Sequence, residues 1–174
     1  TRAAVTSALR PVSLETMPSA AETMGAFDIE NGIQVASVEG PTTPPAVQRM
    51  DLSSGAATTV SAPNAGAFGQ VAMPTWKPWS FRNTRGEDIE SWYWLPPAFD
   101  STRTYPMIVH YYGGTLAMKK NFEQRLLWFA SNGYVVLMMN PAGAPGYGQK
   151  FSNYHTNDWG YPAASDIIDG TQQF

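Results

Sequence analysis

Two near-continuous apolar runs, "YPMIVHYY" at 105–112 and "YVVLMMN" at 134–140, flank a stretch with helical spacing. Strands that are apolar along their whole length need cover on both faces, and two such strands in parallel need a crossover, usually a helix. The intervening "NFEQRLLWFASNG" supplies it, with Phe122, Leu126, Phe129 and Ala130 at i, i+4, i+7 and i+8. Asn121 stands as N-cap, Gln124 as its capping-box partner, and Gly133 just past the end. The pattern predicts a βαβ unit with both strands buried on two faces.

Upstream, "WKPWSFRNTRGEDIESWYWLPP" holds two aromatic-rich runs, 76–84 and 88–95, around a turn at Arg85–Gly86, and reads as a β-hairpin. Residues 1–75 differ in texture, being rich in Ala, Ser, Thr and Pro. Short β-type runs at 32–40, 45–55 and 56–63 predict a small antiparallel sheet, with a hairpin turn from Asp51 to Gly55. A second helix is expected from about Pro162, with Ala164, Ile167, Ile168, Thr171 and Phe174 on its apolar stripe. The 15 glycines and 14 prolines among 174 residues agree with many turns and short strands.

Several chemistries are excluded by composition. A net charge of −3 without a Lys/Arg cluster offers no nucleic-acid footprint. The longest aliphatic or aromatic stretch, Tyr134–Met139, is far short of the roughly 18 residues a membrane helix requires. With no cysteine and two histidines, His110 and His155, no thiolate nucleophile or zinc–thiolate site is available. No cofactor or metal is expected.

"GAPGYGQK" at 143–150 comes close to a phosphate-cradling loop, but Gln149 occupies the lysine position and no helix is expected to start there, so a nucleotide site is set aside. No G-x-S-x-G occurs. Asp166 and Asp169 share one side of the last helix, where complementing the helix dipole and capping amides is the expected role. His110 reads as a structural histidine in a buried strand, and His155 as an exposed loop residue. Tyr112, taken by itself, reads as a packing residue.

In order, "NTRGEDIESWYWLPPAFDSTRTYPMIVHYYGG", "FASNGYVVLMMN", "AGAPGYGQKF" and "WGYPAASD" resemble the opening of the catalytic domain of the prolyl oligopeptidase family of serine peptidases, in the style of its dipeptidyl peptidase IV-like branch. The resemblance implies an α/β fold: residues 76–174 as the N-terminal portion of an α/β-hydrolase domain, and residues 1–75 as the C-terminal end of a β-propeller. It implies that Tyr112, just before the Gly113–Gly114 pair, gives its hydroxyl to an oxyanion hole. The nucleophilic serine, the aspartate and the histidine of the triad would follow Phe174, leaving these 174 residues inactive alone.

The implied activity of the intact protein is hydrolysis of short peptides through an acyl-enzyme. A peptide substrate and at most further copies of the chain are the expected partners, and the family leans to an extracytoplasmic setting. Three positions depart from the family pattern: Ala142 where arginine is usual, Thr115 where proline is common, and Ala163 where glutamate is frequent. They keep two other readings open, an esterase on the same scaffold and a catalytically silent binding protein.

Overall fold

A computed structural model describes residues 23–111 and 117–174, and its strands fall into two four-stranded sheets. The first is an antiparallel meander of β1 (Thr23–Glu30), β2 (Ile33–Gly40), β3 (Thr43–Asp51) and β4 (Ala57–Ser61). Asn31 and Gly32, with φ of 50° and 77°, make the two-residue turn between β1 and β2. Between β3 and β4 the expected turn forms: Asp51 Oδ1 accepts from the amides of Ser53 (2.9 Å) and Ser54 (3.2 Å), and Gly55 takes φ of 72°. Strand β1 lay outside the runs expected from sequence.

After a single helical turn, α1 (Ala65–Phe68), the chain enters a mixed sheet. β5 (Thr75–Arg82) and β6 (Asp88–Leu95) form the expected hairpin, and β7 (Met107–Tyr111) and β8 (Val135–Met139) follow in the order β5-β6-β8-β7. β7 and β8 are parallel, as the apolar runs required, with Tyr111 opposite Met139. β6 pairs with β8 antiparallel, which makes the sheet mixed.

Every residue of β8 is buried, and alternate side chains serve two cores. Val136 and Met138 join Trp92, Trp94, Leu126, Leu127 and Ala130 on one face, while Leu137 and Met139 join Phe81, Ile89 and Phe151 on the other. β7 departs from expectation. Among the described strands it lies at the end of the order, and Met107 and Tyr111 are 37% and 50% exposed.

The crossover helix α2 (Gln124–Ser131) buries Leu126, Leu127 and Ala130, but it begins later than the capping pattern suggested. Its N-cap is Glu123, with no side-chain cap, because the preceding chain is tied elsewhere. The Phe122 amide donates to Glu39 Oε2 of β2 (3.0 Å), and the Phe122 ring meets Phe68 edge-on. Gly133, with φ of 90°, ends the helix as expected.

Two further α-helices follow β8, with a 3-10 turn over Asn153–His155 between them. A short helix, α3 (Gln149–Ser152), does start at the loop where none was expected. α4 (Tyr161–Gln173) starts beside Pro162 as anticipated, but its buried face is Ala163, Asp166 and Gly170. Ile168 is 56% exposed, so the predicted stripe was turned off the core by part of a helical turn. The reason is close packing on the sheet: a Cβ at Gly170 would stand 2.6 Å from the Phe81 ring, and only glycine lets α4 approach so closely.

Candidate active site

In open sheets with parallel strands, ligands bind outside the carboxyl ends of those strands. Here that end is marked by Tyr111 and Met139, and the residue after β8, Asn140, is 2% exposed. Its carboxamide is fully engaged. Oδ1 accepts from the Met118 amide at 2.7 Å, and Nδ2 donates to the Met118 carbonyl at 3.2 Å and to Tyr147 Oη at 2.7 Å. The Asn140 amide donates to the Glu90 carbonyl at 3.0 Å, so one residue joins β6 to the segments following β7 and β8.

The charges around it are coupled. Tyr147 Oη donates a short hydrogen bond to Glu90 Oε2, and Lys120 Nζ pairs with Glu90 Oε1 at 2.7 Å. Burial favours the neutral acid, but bonds from Lys120 and Tyr147 outweigh it and hold Glu90 below the usual carboxylate range. Burial and the Glu90 anion together push the Tyr147 phenol well above its ordinary value. The phenol therefore stays protonated and acts as a bridge between Asn140 and Glu90.

The loop after Asn140 is fixed from its other side by a buried carboxylate. Asp166 is fully buried; its two oxygens accept from Arg85 Nη2 (2.7 Å each), Asn83 Nδ2 (2.8 Å) and the Ala142 amide (2.8 Å). Asp169 accepts from the Thr84 amide and hydroxyl, both at 2.9 Å. Neither carboxylate caps its own helix, as had been expected. Both bind the 83–85 turn of the β5–β6 hairpin and clamp α4 to it.

His155 is also corrected: it is 9% exposed, stacked near Trp159, and packed against Gly143. A Cβ on Gly143 would lie 2.1 Å from His155 Nε2, and the backbone there has φ of +95°. Gly143→Ala is therefore expected to cost about 2 kcal/mol or more, from positive-φ strain and overpacking together. A depressed thermal midpoint of the intact protein checks this; an unchanged midpoint would contradict it.

His110 sits half-buried in β7, where burial first and the nearby Arg125 charge second lower its pKa below the ordinary imidazole value, in keeping with a structural role. Tyr112 and Thr115 lie outside the described residues. Among the described residues no group of three or more His, Cys, Asp or Glu side chains could hold a metal ion. An open groove of about 480 Å³ lined by Trp79, Tyr93, Leu95, Val135 and Phe174 lies at the amino end of β8, away from Asn140.

Sequence reasoning missed Asn140, Glu90 and the Arg85–Asp166 pair. The first had a signal, since an amide side chain closing a wholly apolar strand must find partners. The pair had none, because its members are 81 positions apart.

Residues 120–174 match the prolyl oligopeptidase family. The chain is 29% identical over 145 residues to dipeptidyl-peptidase 5 of Porphyromonas gingivalis, a match covering 82% of this chain and 21% of that protein. It is 37% identical over 84 residues to a probable dipeptidyl-peptidase 5 of Arthroderma benhamiae, covering 46% of this chain and 11% of the relative. Among solved structures, the acylaminoacyl peptidase of Pyrococcus horikoshii superposes with a TM-score of 0.79 at 22% identity, over 91% of this chain and 25% of that one. The chain thus spans about a fifth of the length of the Porphyromonas relative and a quarter of the solved structure.

Proposed function

We propose that the chain is part of a prolyl oligopeptidase family member, which its matched segment 120–174 supports, and that the intact protein is a serine peptidase that hydrolyses short peptides through an acyl-enzyme. The single observation that carries this reading is the ordered set of motifs from "NTRGED" to "WGYPAASD", the last part of which is the matched segment 120–174. The names of its relatives, dipeptidyl-peptidase and acylaminoacyl peptidase, support a peptide as the substrate of this chain.

In this reading residues 1–75 end a β-propeller and residues 76–174 open an α/β-hydrolase domain. The four-stranded antiparallel meander supports the first half, and the mixed sheet with its parallel β7–β8 pair supports the second. The nucleophile, its base and the acid belong to the part of the protein outside these residues, which contain no G-x-S-x-G.

The chemistry follows from those roles. The serine hydroxyl attacks the scissile carbonyl while histidine takes its proton, and the carbonyl oxygen becomes an oxyanion. The amine leaves with the proton returned by histidine, and water then hydrolyses the acyl ester. Tyr112 supplies one hydrogen bond to the oxyanion, and a backbone amide beside the serine supplies the other.

The departure at Ala142 leaves the loop after β8 anchored, because its tie to Asp166 runs through the backbone amide. That favours an active enzyme over a silent relative. Assays of the intact protein on dipeptidyl amides, N-acylated amino-acid amides and matched esters test the reading. Amide hydrolysis supports it; ester hydrolysis alone would identify an esterase, and no hydrolysis by folded protein a binding protein.

A further inference from the structure

The antiparallel meander has little interior of its own. Between residues 23 and 61 the buried residues are Ala36, Val38, Gly40 and Pro41, all in the second half of β2 or in the turn that leads to β3. That turn meets the mixed sheet. Trp94 of the inner strand β6, itself 1% exposed, donates from Nε1 to the Pro41 carbonyl at 3.1 Å. Beside it, Glu39 Oε2 accepts from the amide of Phe122, just before α2, at 3.0 Å. One hairpin tip is thus bonded both to a strand of the mixed sheet and to the entrance of its crossover helix.

The connecting residues 62–74 are tied down as well. The Phe68 ring meets Phe122 edge-on with centroids 5.0 Å apart, and Met73 packs against the core that holds Trp94 and Leu126. A connection of this kind is by default a hinge, because contacts between units of one chain are usually too small and polar to stop relative motion. Here the contacts are of the stronger sort: a buried indole hydrogen bond, a carboxylate on a backbone amide and an aromatic pair.

We propose that the β2–β3 tip is a latch that makes the meander and the mixed sheet one mechanical unit, so that the intact protein does not hinge at residues 62–74. Trp94 carries most of the coupling, since its nitrogen reaches Pro41 while its ring belongs to the core of Trp92, Leu126 and Val136. Parting the sheets breaks both hydrogen bonds and bares the edge of that core. The latch needs no catalytic group and is independent of the peptidase reading.

Amide hydrogen exchange in the intact protein tests it, read on each sheet after a substitution in the other. Trp94→Phe keeps a ring and removes the donor; it is expected to raise exchange of the β2–β3 ladder amides about tenfold. Glu39→Ala is expected to raise exchange over α2 about 2–10-fold, while Glu39→Gln, which keeps an acceptor for the Phe122 amide, stays within about twofold of wild type. Where Trp94→Phe fails to fold, the contrast between the two Glu39 variants decides. Exchange that rises only in the sheet carrying the substitution would overturn the latch, as would Glu39→Ala matching wild type over α2. Loss or retention of peptide hydrolysis bears on the peptidase reading alone.

Discussion

Tyr112→Phe in the intact protein is expected to leave the fold unchanged and to lower kcat by about 10²–10³, with little change in KM. The substitution deletes one hydroxyl and nothing else. If that hydroxyl meets the carbonyl oxygen only as it gains charge, its loss raises the barrier without weakening ground-state binding. The size follows from the low-dielectric setting of an oxyanion hole, where one preorganised donor is worth about 2.7–4 kcal/mol. A packing tyrosine would behave differently: the phenylalanine variant would turn over at the wild-type rate. Steady-state kinetics with circular dichroism to verify the fold separates the two.

The largest effect on stability is expected at Asp166. Its side chain is fully buried and takes four hydrogen bonds, including the forked contact from Arg85. Asp166→Ala leaves the Ala142 amide without its partner, and it leaves Asn83 Nδ2 and the Arg85 guanidinium with Glu87 alone. Removing one member of a buried pair typically costs 3–5 kcal/mol. Arg85 is a quarter exposed and can regain some water, which places the expected loss near the lower end, about 3 kcal/mol.

In a cooperative unit of about 150–250 residues that is a fall of about 6–12 °C in the thermal midpoint, read on the intact protein. Arg85→Ala breaks the same ion pair from its other side, so the double variant is expected to lose less than the sum of the two singles. A wild-type midpoint for Asp166→Ala would show that the clamp between α4 and the hairpin contributes nothing.

The parts of the fold legible in sequence are those set by short-range pattern. The runs over 105–112 and 134–140 predicted a parallel pair because few arrangements bury two such strands, and β7 and β8 pair that way. Asp51, Gly55 and Gly86 announced their turns through local hydrogen bonding and positive φ. β1 was missed because "TMGAFDIE" alternates poorly, and its last six residues are exposed. The face of α4 was misread because the adjacent pair Ile167–Ile168 admits two helical registers; packing through Gly170 chose the one that buries Asp166.

The candidate site was legible only in part. The resemblance supplied Tyr112, which lies outside the described residues; the contacts among Asn140, Glu90, Tyr147 and Asp166 are long-range, and no spacing rule reveals them. Asn140 gains its meaning from Met118 and Tyr147, and Asp166 from a turn more than 80 positions away. His155 read as an exposed loop residue because nothing in the sequence shows that Gly143 leaves room for its ring.

The central claim is a serine acyl-enzyme in the intact protein, and active-site titration tests it most directly. Intact protein treated with a serine-directed fluorophosphonate is expected to take up one adduct per chain, at a serine beyond Phe174, and to lose peptide-amide hydrolysis in proportion. Folded protein that takes no adduct, or that keeps hydrolysing peptide amides once fully labelled, would contradict the account.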